Sequence, residues 1–388
     1  MKVRMYNVGF GDCFCLRDRK KSLLVDFGTN NSRIEGRPRR EIFDVIISDL
    51  STIKSKNLLL THFHMDHLSG LLYMMKKKDI SVDFGKIYLP DVFSKKEMSR
   101  TLVLLLLADL LKESGLPSRQ VSLFALVDAL LENKQNVELL SRGKLFENKY
   151  QALWPDTDVI RKETDEVYNR ICEDGKFKEV MDVLLEFAEK LRLIVWSMTA
   201  EGKKLTEQPE VRQKIIRAYV YEREFRRIKA LPDFKKLLAW LNENQINLRQ
   251  FKHKISIVFQ NARDGELNLL FTGDAQPEHL KMIAENYDGK LPLYEHYWCI
   301  KVPHHGTQGH YFDFSQYEPE NMLISNGIHF ANSKKESKEL RTSPLYGGLF
   351  YIPDTHMYCS NCDCCDSYEN GCSCKEADVI SPAYYKDI

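Results

Sequence analysis

Thr61-His62-Phe63-His64-Met65-Asp66-His67-Leu68-Ser69-Gly70 places three imidazoles and one carboxylate within six positions, directly after the apolar run Asn57-Leu58-Leu59-Leu60. The run is short enough for a buried strand. Neutral imidazole and carboxylate suit zinc, and also manganese or iron. In an extended turn, His62 and His64 project to the same side. Asp66 and His67 follow where a helix begins, and can face a second ion. A histidine-rich surface turn is the competing reading. Four ligand-type residues at this spacing beside a buried strand weigh against it.

Outward from this motif, the first ninety residues read as strands and short helices. Val3-Arg4-Met5-Tyr6-Asn7-Val8 alternates, and Gly9-Phe10-Gly11-Asp12 is a turn. Cys13-Phe14-Cys15-Leu16 and Ser22-Leu23-Leu24-Val25-Asp26 read as strands. Residues 28–40 form a polar loop, and Ile42, Val45, Ile46 and Leu50 have helical spacing. From about 95 to 248 helical periodicity takes over. Phe177, Val180, Met181, Leu184, Ala188 and Leu191 share one face, and residues 123–131 give another. Strand character returns at 255–259 and 267–271, a predicted hairpin, then at 298–302 and 322–325. The tail beyond Thr342 is rich in Tyr, Pro, Gly and Cys and shows no clear period.

His-x-His-x-Asp-His after an apolar strand resembles the signature of the metallo-β-lactamase superfamily. Phe271-Thr272-Gly273-Asp274 is similar to its strand-end Gly-Asp, and Val302-Pro303-His304-His305-Gly306-Thr307 to its later histidine segment. Asn7-Val8-Gly9-Phe10-Gly11-Asp12 with Leu24-Val25-Asp26-Phe27-Gly28 resembles the opening hairpin of the ComEC-like branch. The resemblance covers residues 1–90 and about 250–335. It implies an α/β fold, the metallo-β-lactamase-like αββα sandwich, with a large α-helical insertion and a Cys-rich C-terminal appendix. The expected division is a hydrolase core at 1–94 and 249–340, the insertion at 95–248, and the tail at 341–388.

The resemblance also implies roles. His62 and His64 would hold a first divalent ion, Asp66 and His67 a second, and Asp274 would bridge them. One of His304 and His305 would complete the second site, while the other meets substrate or holds the loop. His253 precedes a strand where the superfamily commonly places a histidine ligand, although the ComEC-like branch often has asparagine there. Ligand and surface histidine both stand for it. Asp26 is either an acceptor for a metal-bound imidazole or a turn carboxylate. Asp12 reads as a turn carboxylate, and His329 as an ordinary loop histidine. Asp66, His305 and Lys301 are the candidate catalytic residues. The implied reaction is hydrolysis by a hydroxide shared between two metals, with no serine or cysteine nucleophile.

Substrate class rests on charge. Arg33, Arg37, Arg39 and Arg40 precede the first helix, Lys76-Lys77-Lys78 follows the histidine motif, and Lys301 precedes His304. Cations beside a two-metal site favour a phosphorylated substrate; each run alone reads more simply as solvated surface. The ComEC-like resemblance points to phosphodiesters, in a nucleic acid or nucleotide. A thioester, lactam or lactone hydrolase and a scaffold with an inert metal site are the alternatives. Arg223, Arg226, Arg227, Lys229, Lys235 and Lys236 interleave with Tyr219, Tyr221, Phe225 and Phe234. That pattern fits an amphipathic helix, or a surface of the insertion for nucleic acid or a protein partner.

The chain has 388 residues with 56 Lys and Arg against 55 Asp and Glu, a balance that gives no support to wholesale wrapping of nucleic acid. The longest apolar run, 101–111, is too short for a bilayer and is broken by Asp109. No membrane association and a cytoplasmic location are expected. Six of the ten cysteines crowd into 359–374. Cys359, Cys362, Cys364, Cys365, Cys372 and Cys374 fit a structural zinc site, with a redox-sensitive cluster or partly disulfide-bonded tail as alternatives. Cys13, Cys15, Cys172 and Cys299 read as small apolar residues.

Overall fold

The computed structural model describes residues 1–18, 21–34, 36–77, 83–112, 122–173, 175–205, 228–244, 246–248, 250–326, 352–360, 378–379 and 385–388. They form two compact units. The first comprises Met1–Gly85, Arg142–Trp154 and Ser256–Ile388, and the second Lys86–Ser141 and Pro155–Ile255.

The first unit is built on two sheets. In one, strands run in the order Tyr385–Asp387, Lys2–Tyr6, Phe14–Asp18, Lys21–Val25, Ser55–Leu59. Lys21–Val25 and Ser55–Leu59 are parallel, with Val25 opposite Leu59. The other sheet orders Asp378–Val379, His356–Cys359, Asn321–Ile324, Cys299–Lys301, Leu269–Phe271, Val258–Asn261, Tyr150–Trp154, Leu145–Phe146. Phe14 meets Phe271 across the two sheets at 5.6 Å between ring centroids, and Phe271 stacks on Phe259 at 5.2 Å. Each such buried ring contributes about 1.5–3 kcal/mol of transfer free energy. The expected hairpin forms, with Phe259 opposite Phe271.

Helices cover both sheets. Arg39–Ser51 starts after Pro38 and buries Ile42, Phe43, Ile46, Ile47 and Leu50, the stripe expected from their spacing. Phe43 packs on Phe27 at 5.2 Å. On the second sheet, Pro277–Ala284 lays His279 flat on Trp154 at 4.5 Å.

Two boundaries differ from the sequence reading. The segment 95–248 is not helical throughout. Val137–Leu140, Leu145–Phe146 and Tyr150–Trp154 are strands, and the last pairs with Val258–Asn261 in the first unit's sheet. These runs are too short for a period-2 signal to stand out among long helices. Among the described residues of 341–388, His356–Cys359 adds in parallel to Asn321–Ile324, and Tyr385–Asp387 pairs with Lys2–Tyr6. A buried ion pair reinforces the second pairing, with Arg4 Nε 2.6 Å from Asp387 and Nη1 2.8 Å from Asp49.

Within the second unit, Ser99–Lys112, Ser122–Glu132, Thr157–Cys172 and Lys178–Ser197 are helices, and Ile87–Pro90 pairs in parallel with Val137–Leu140. Asp109, which interrupts the apolar run, is buried and bonded to Ser122 and the Lys252 ammonium, so its charge is matched. Among the described residues no helix is long and apolar enough to cross a membrane.

Candidate metal centre

Parallel strands bring their carboxyl ends to one edge, where loops can carry functional groups. Asp26 follows Lys21–Val25, and Thr61 and His62 follow the neighbouring Ser55–Leu59. Asp274 follows Leu269–Phe271, His304 and His305 follow its parallel partner Cys299–Lys301, and Ser325 follows Asn321–Ile324. Side chains more than 200 positions apart thus converge, as His305 and Asp66 do.

The loops are held in unusual backbone. Asp26 and His304 are left-handed, with φ of 56° and 54°. Non-glycine residues reach that region only where surroundings over-determine them. Gly273 also has positive φ (51°), and a Cβ there would come 3.0 Å from the carbonyl oxygen of Ile257. A Cβ on Gly28 would lie 2.6 Å from the backbone carbonyl of Asp66, in the first turn of helix Met65–Lys76. Gly28→Ala is therefore expected to push that turn away from the sheet. It should cost about 1–3 kcal/mol in urea unfolding and weaken metal binding; unchanged stability and metal content would disprove the close approach.

Asp274 lies at the centre and is fully buried. Its Oδ2 is 3.5 Å from Nε2 of His62, 3.2 Å from Nε2 of His67 and 3.5 Å from Nε2 of His304. Charge-assisted hydrogen bonds would be about 2.7–2.9 Å. With metal–donor bonds of about 2.0–2.2 Å, donors on a tetrahedral ion sit about 3.3–3.6 Å apart. The spacing is that of ligands around an ion. His62 Nε2 and His64 Nδ1 are 2.9 Å apart. Two lone pairs would repel at that distance, so a proton or a cation must sit between them.

Three donor groups follow, each with atoms within 4.8 Å of one another: His62, His64 and Asp274; Asp66, His67 and His305; and Asp274, His304 and His305. These groups could hold a divalent metal ion. Hydrogen bonds set the ring tautomers. His305 Nδ1 is 2.9 Å from the Ser325 carbonyl, which can only accept, so the neutral ring carries its lone pair on Nε2, facing Asp66 at 3.3 Å. His67 Nδ1 is 2.9 Å from Asp26 Oδ2, which aims Nε2 at Asp274. Asp26 in turn accepts from the Thr61 amide and hydroxyl, each at 2.7 Å. Asp26 is thus the acceptor behind an imidazole.

The electrostatics are those of a dry, crowded cluster. Burial works against the Asp274 charge, but the His67, His304 and His62 imidazoles hold its carboxyl well below the usual range. Burial alone would lower His305; hydrogen bonding with Asp12 and Asp66 pushes it up to about 9. Burial raises Asp26, partly offset by His67. Asp12 is held low against its burial by the Lys301 ammonium, 2.6 Å away. Lys301 is 1 % exposed and also donates to the carbonyls of Gly273 and His304, at 3.0 and 2.9 Å. It lies inside the cluster, beneath the loop that carries His304.

The lysines that follow the histidine motif lie elsewhere. Lys76 and Lys77 close the far end of helix Met65–Lys76, about 18 Å along its axis from the histidine turn, and Lys77 pairs with Asp44. His253 sits on helix Gln250–Lys254 of the second unit. Cys359 ends the buried strand His356–Cys359. Cys362, Cys364, Cys365, Cys372, Cys374, His329, Lys78, Tyr219, Tyr221, Arg223, Phe225, Arg226 and Arg227 lie outside the described residues. Sequence reading passed over Thr61, Ser256, Thr307, Ser325 and His310, and it gave Asp12 only a turn role. Their one visible signal was position, since each lies beside a glycine, a candidate ligand or a strand end.

No curated protein matches the chain. Residues 6–91, which carry Asp12, Asp26 and the whole His62–His67 turn, match the family model of the metallo-beta-lactamase superfamily.

Proposed function

We propose that the protein is a dinuclear metal-dependent hydrolase acting on a phosphodiester, in a nucleic acid or nucleotide. The observation that carries this reading is the ring of three imidazole Nε2 atoms 3.2–3.5 Å from one buried oxygen of Asp274. His62 and His64 with Asp274 would hold one ion, and Asp66 and His67 with His305 or His304 the other. Bound there, two divalent ions supply Lewis acidity and an activated water at neutral pH. The chain's own part is positioning. Asp26, Ser325 and Asp12 aim imidazoles, Lys301 balances carboxylate charge, and Asp66 offers an oxygen at the edge of the cluster.

Support for an anionic substrate comes from the arginine loop. Arg33–Ile34 and Arg37–Pro38 form a two-stranded ribbon anchored by buried Ile34. Next to it, Asn31 Oδ1 accepts from the Phe10 amide at 2.6 Å, and the Phe10 ring lies 4.0 Å from that of His305. The ribbon that carries Arg33 and Arg37 thus adjoins a segment packed on His305, and guanidinium groups there would suit phosphate oxygens.

The test compares bis-p-nitrophenyl phosphate, nitrocefin and a thioester, using protein loaded with zinc, manganese or iron. Metal-dependent cleavage of the phosphodiester, abolished by a chelator and restored by metal, is expected. Cleavage of nitrocefin or the thioester alone would move the reading to another bond. Metal binding without turnover of any of them would favour a scaffold.

A further inference from the structure

Thr307 lies between two imidazoles. Its Oγ1 is 3.0 Å from Nδ1 of His304 and 3.2 Å from Nδ1 of His310. The tight turn Gln308–His310 folds back so that the two rings stack, with centroids 4.4 Å apart and planes within 19°. A hydroxyl has one proton and can donate to only one of the two nitrogens. Where it donates to one, the hydrogen bond with the other needs that nitrogen's own proton, Oγ1 accepting.

Two proton orders place the hydroxyl proton on one of these two hydrogen bonds. In the first, His304 Nδ1–H donates to Oγ1, and the hydroxyl donates to His310 Nδ1. His304 Nε2 then turns a lone pair toward Asp274, and His310 carries its proton on Nε2. In the second order every donor and acceptor is exchanged, and His304 points an N–H at Asp274, which no metal can use. The two orders have the same net charge. They differ only in where each proton sits.

Most of the inward-facing imidazoles need no such choice. His305 and His67 are set by a carbonyl and a carboxylate. His62 offers a parallel. Its Nδ1 is 3.1 Å from Thr61 Oγ1, whose proton goes to Asp26, leaving the oxygen to accept. At His304 the same construction uses Thr307 as the hydroxyl and His310 as the acceptor behind it. The backbone of His304 is already held, left-handed, with its carbonyl bonded to Lys301.

We propose that Thr307 and His310 are positioning residues that lock His304 in its metal-binding tautomer, His310 taking the hydroxyl proton so that Oγ1 accepts from His304. This rests on His304 being a donor to the metal centre. When the centre is loaded, the chain His304–Thr307–His310 takes the first proton order, and His310 is an Nε2–H imidazole.

The experiment uses the full chain and zinc alone, with Thr307→Val, Thr307→Ser and His310→Phe. Zinc affinity is read by competition with a chromophoric chelator, ring tautomers by long-range nitrogen–proton NMR, and folding by circular dichroism. Thr307→Val is expected to weaken the looser zinc site about 10- to 100-fold. Thr307→Ser should restore it, and His310→Phe, which keeps a stacked ring without an acceptor, should weaken it too. In the wild type, zinc should place the His310 proton on Nε2. A change in melting temperature alone would not move these signals. Wild-type zinc affinity in both Thr307→Val and His310→Phe, or an Nδ1–H His310 in the loaded protein, would overturn the inference and leave the metal centre standing. If Thr307→Val does not fold, His310→Phe and the wild-type tautomer decide. A wild type that binds no zinc would remove the metal centre and this inference with it.

Discussion

If the proposed dinuclear centre is right, Asp274→Ala is expected to empty it of metal and to cut the proposed hydrolysis by about a thousandfold or more. Asp274 is the one side chain common to the His62–His64 group and the His304–His305 group. Its carboxylate is also the counter-charge for the His62, His67 and His304 imidazoles. Removing it leaves three buried rings facing one another. Metal per chain, measured by plasma mass spectrometry after dialysis, should approach zero, while circular dichroism shows the fold retained. Two equivalents of bound metal and full turnover in this variant would rule out a shared carboxylate.

Lys301→Met should lower the stability of chelator-treated protein by about 3–5 kcal/mol, the usual cost of stranding one member of a buried ion pair. The ammonium and the Asp12 carboxylate are each about 1 % exposed and 2.6 Å apart. Methionine keeps the length of the side chain but takes the ammonium from that carboxylate and from the His304 carbonyl, and leaves the Gly273 carbonyl only the His304 amide. The double variant Asp12→Asn with Lys301→Met removes both charges and should recover much of the loss. Urea unfolding of the four proteins measures the coupling. A loss below about 1 kcal/mol in the single variant would mean that Lys301 is not the counter-ion of Asp12.

The histidine turn was legible because its chemistry is local. His62, His64, Asp66 and His67 lie within six positions, and the strand before them is a plain apolar run. Asp274 and the His304–His305 pair were visible only through resemblance, since nothing local separates a strand-end aspartate from a capping one. Of the residues that orient the imidazoles, Asp26 was legible as one of two readings, and the others were not. Ser325 acts through its carbonyl and Thr61 through a hydroxyl on Asp26, 35 positions away. Lys301 was expected to offer its charge to substrate; its burial became visible only when Asp12 was placed beside it. The helices of the second unit followed from periodicity, as at Val180, Met181, Leu184 and Leu191. The short strands Val137–Leu140 and Tyr150–Trp154 did not, because sheet pairing rather than local pattern defines them.

Arg4 and Asp387 are 383 positions apart, yet they join the first strand to the last. At about 5–20 residues per second, a ribosome needs roughly 20–80 s to travel between them. For that interval Lys2–Tyr6 must wait with one edge unsatisfied, a condition that invites pairing with strangers. The lateral edge of the first sheet would therefore be closed only once Asp387 has been made, and nascent chains stalled before Tyr385 should be markedly more prone to aggregate than those that carry it.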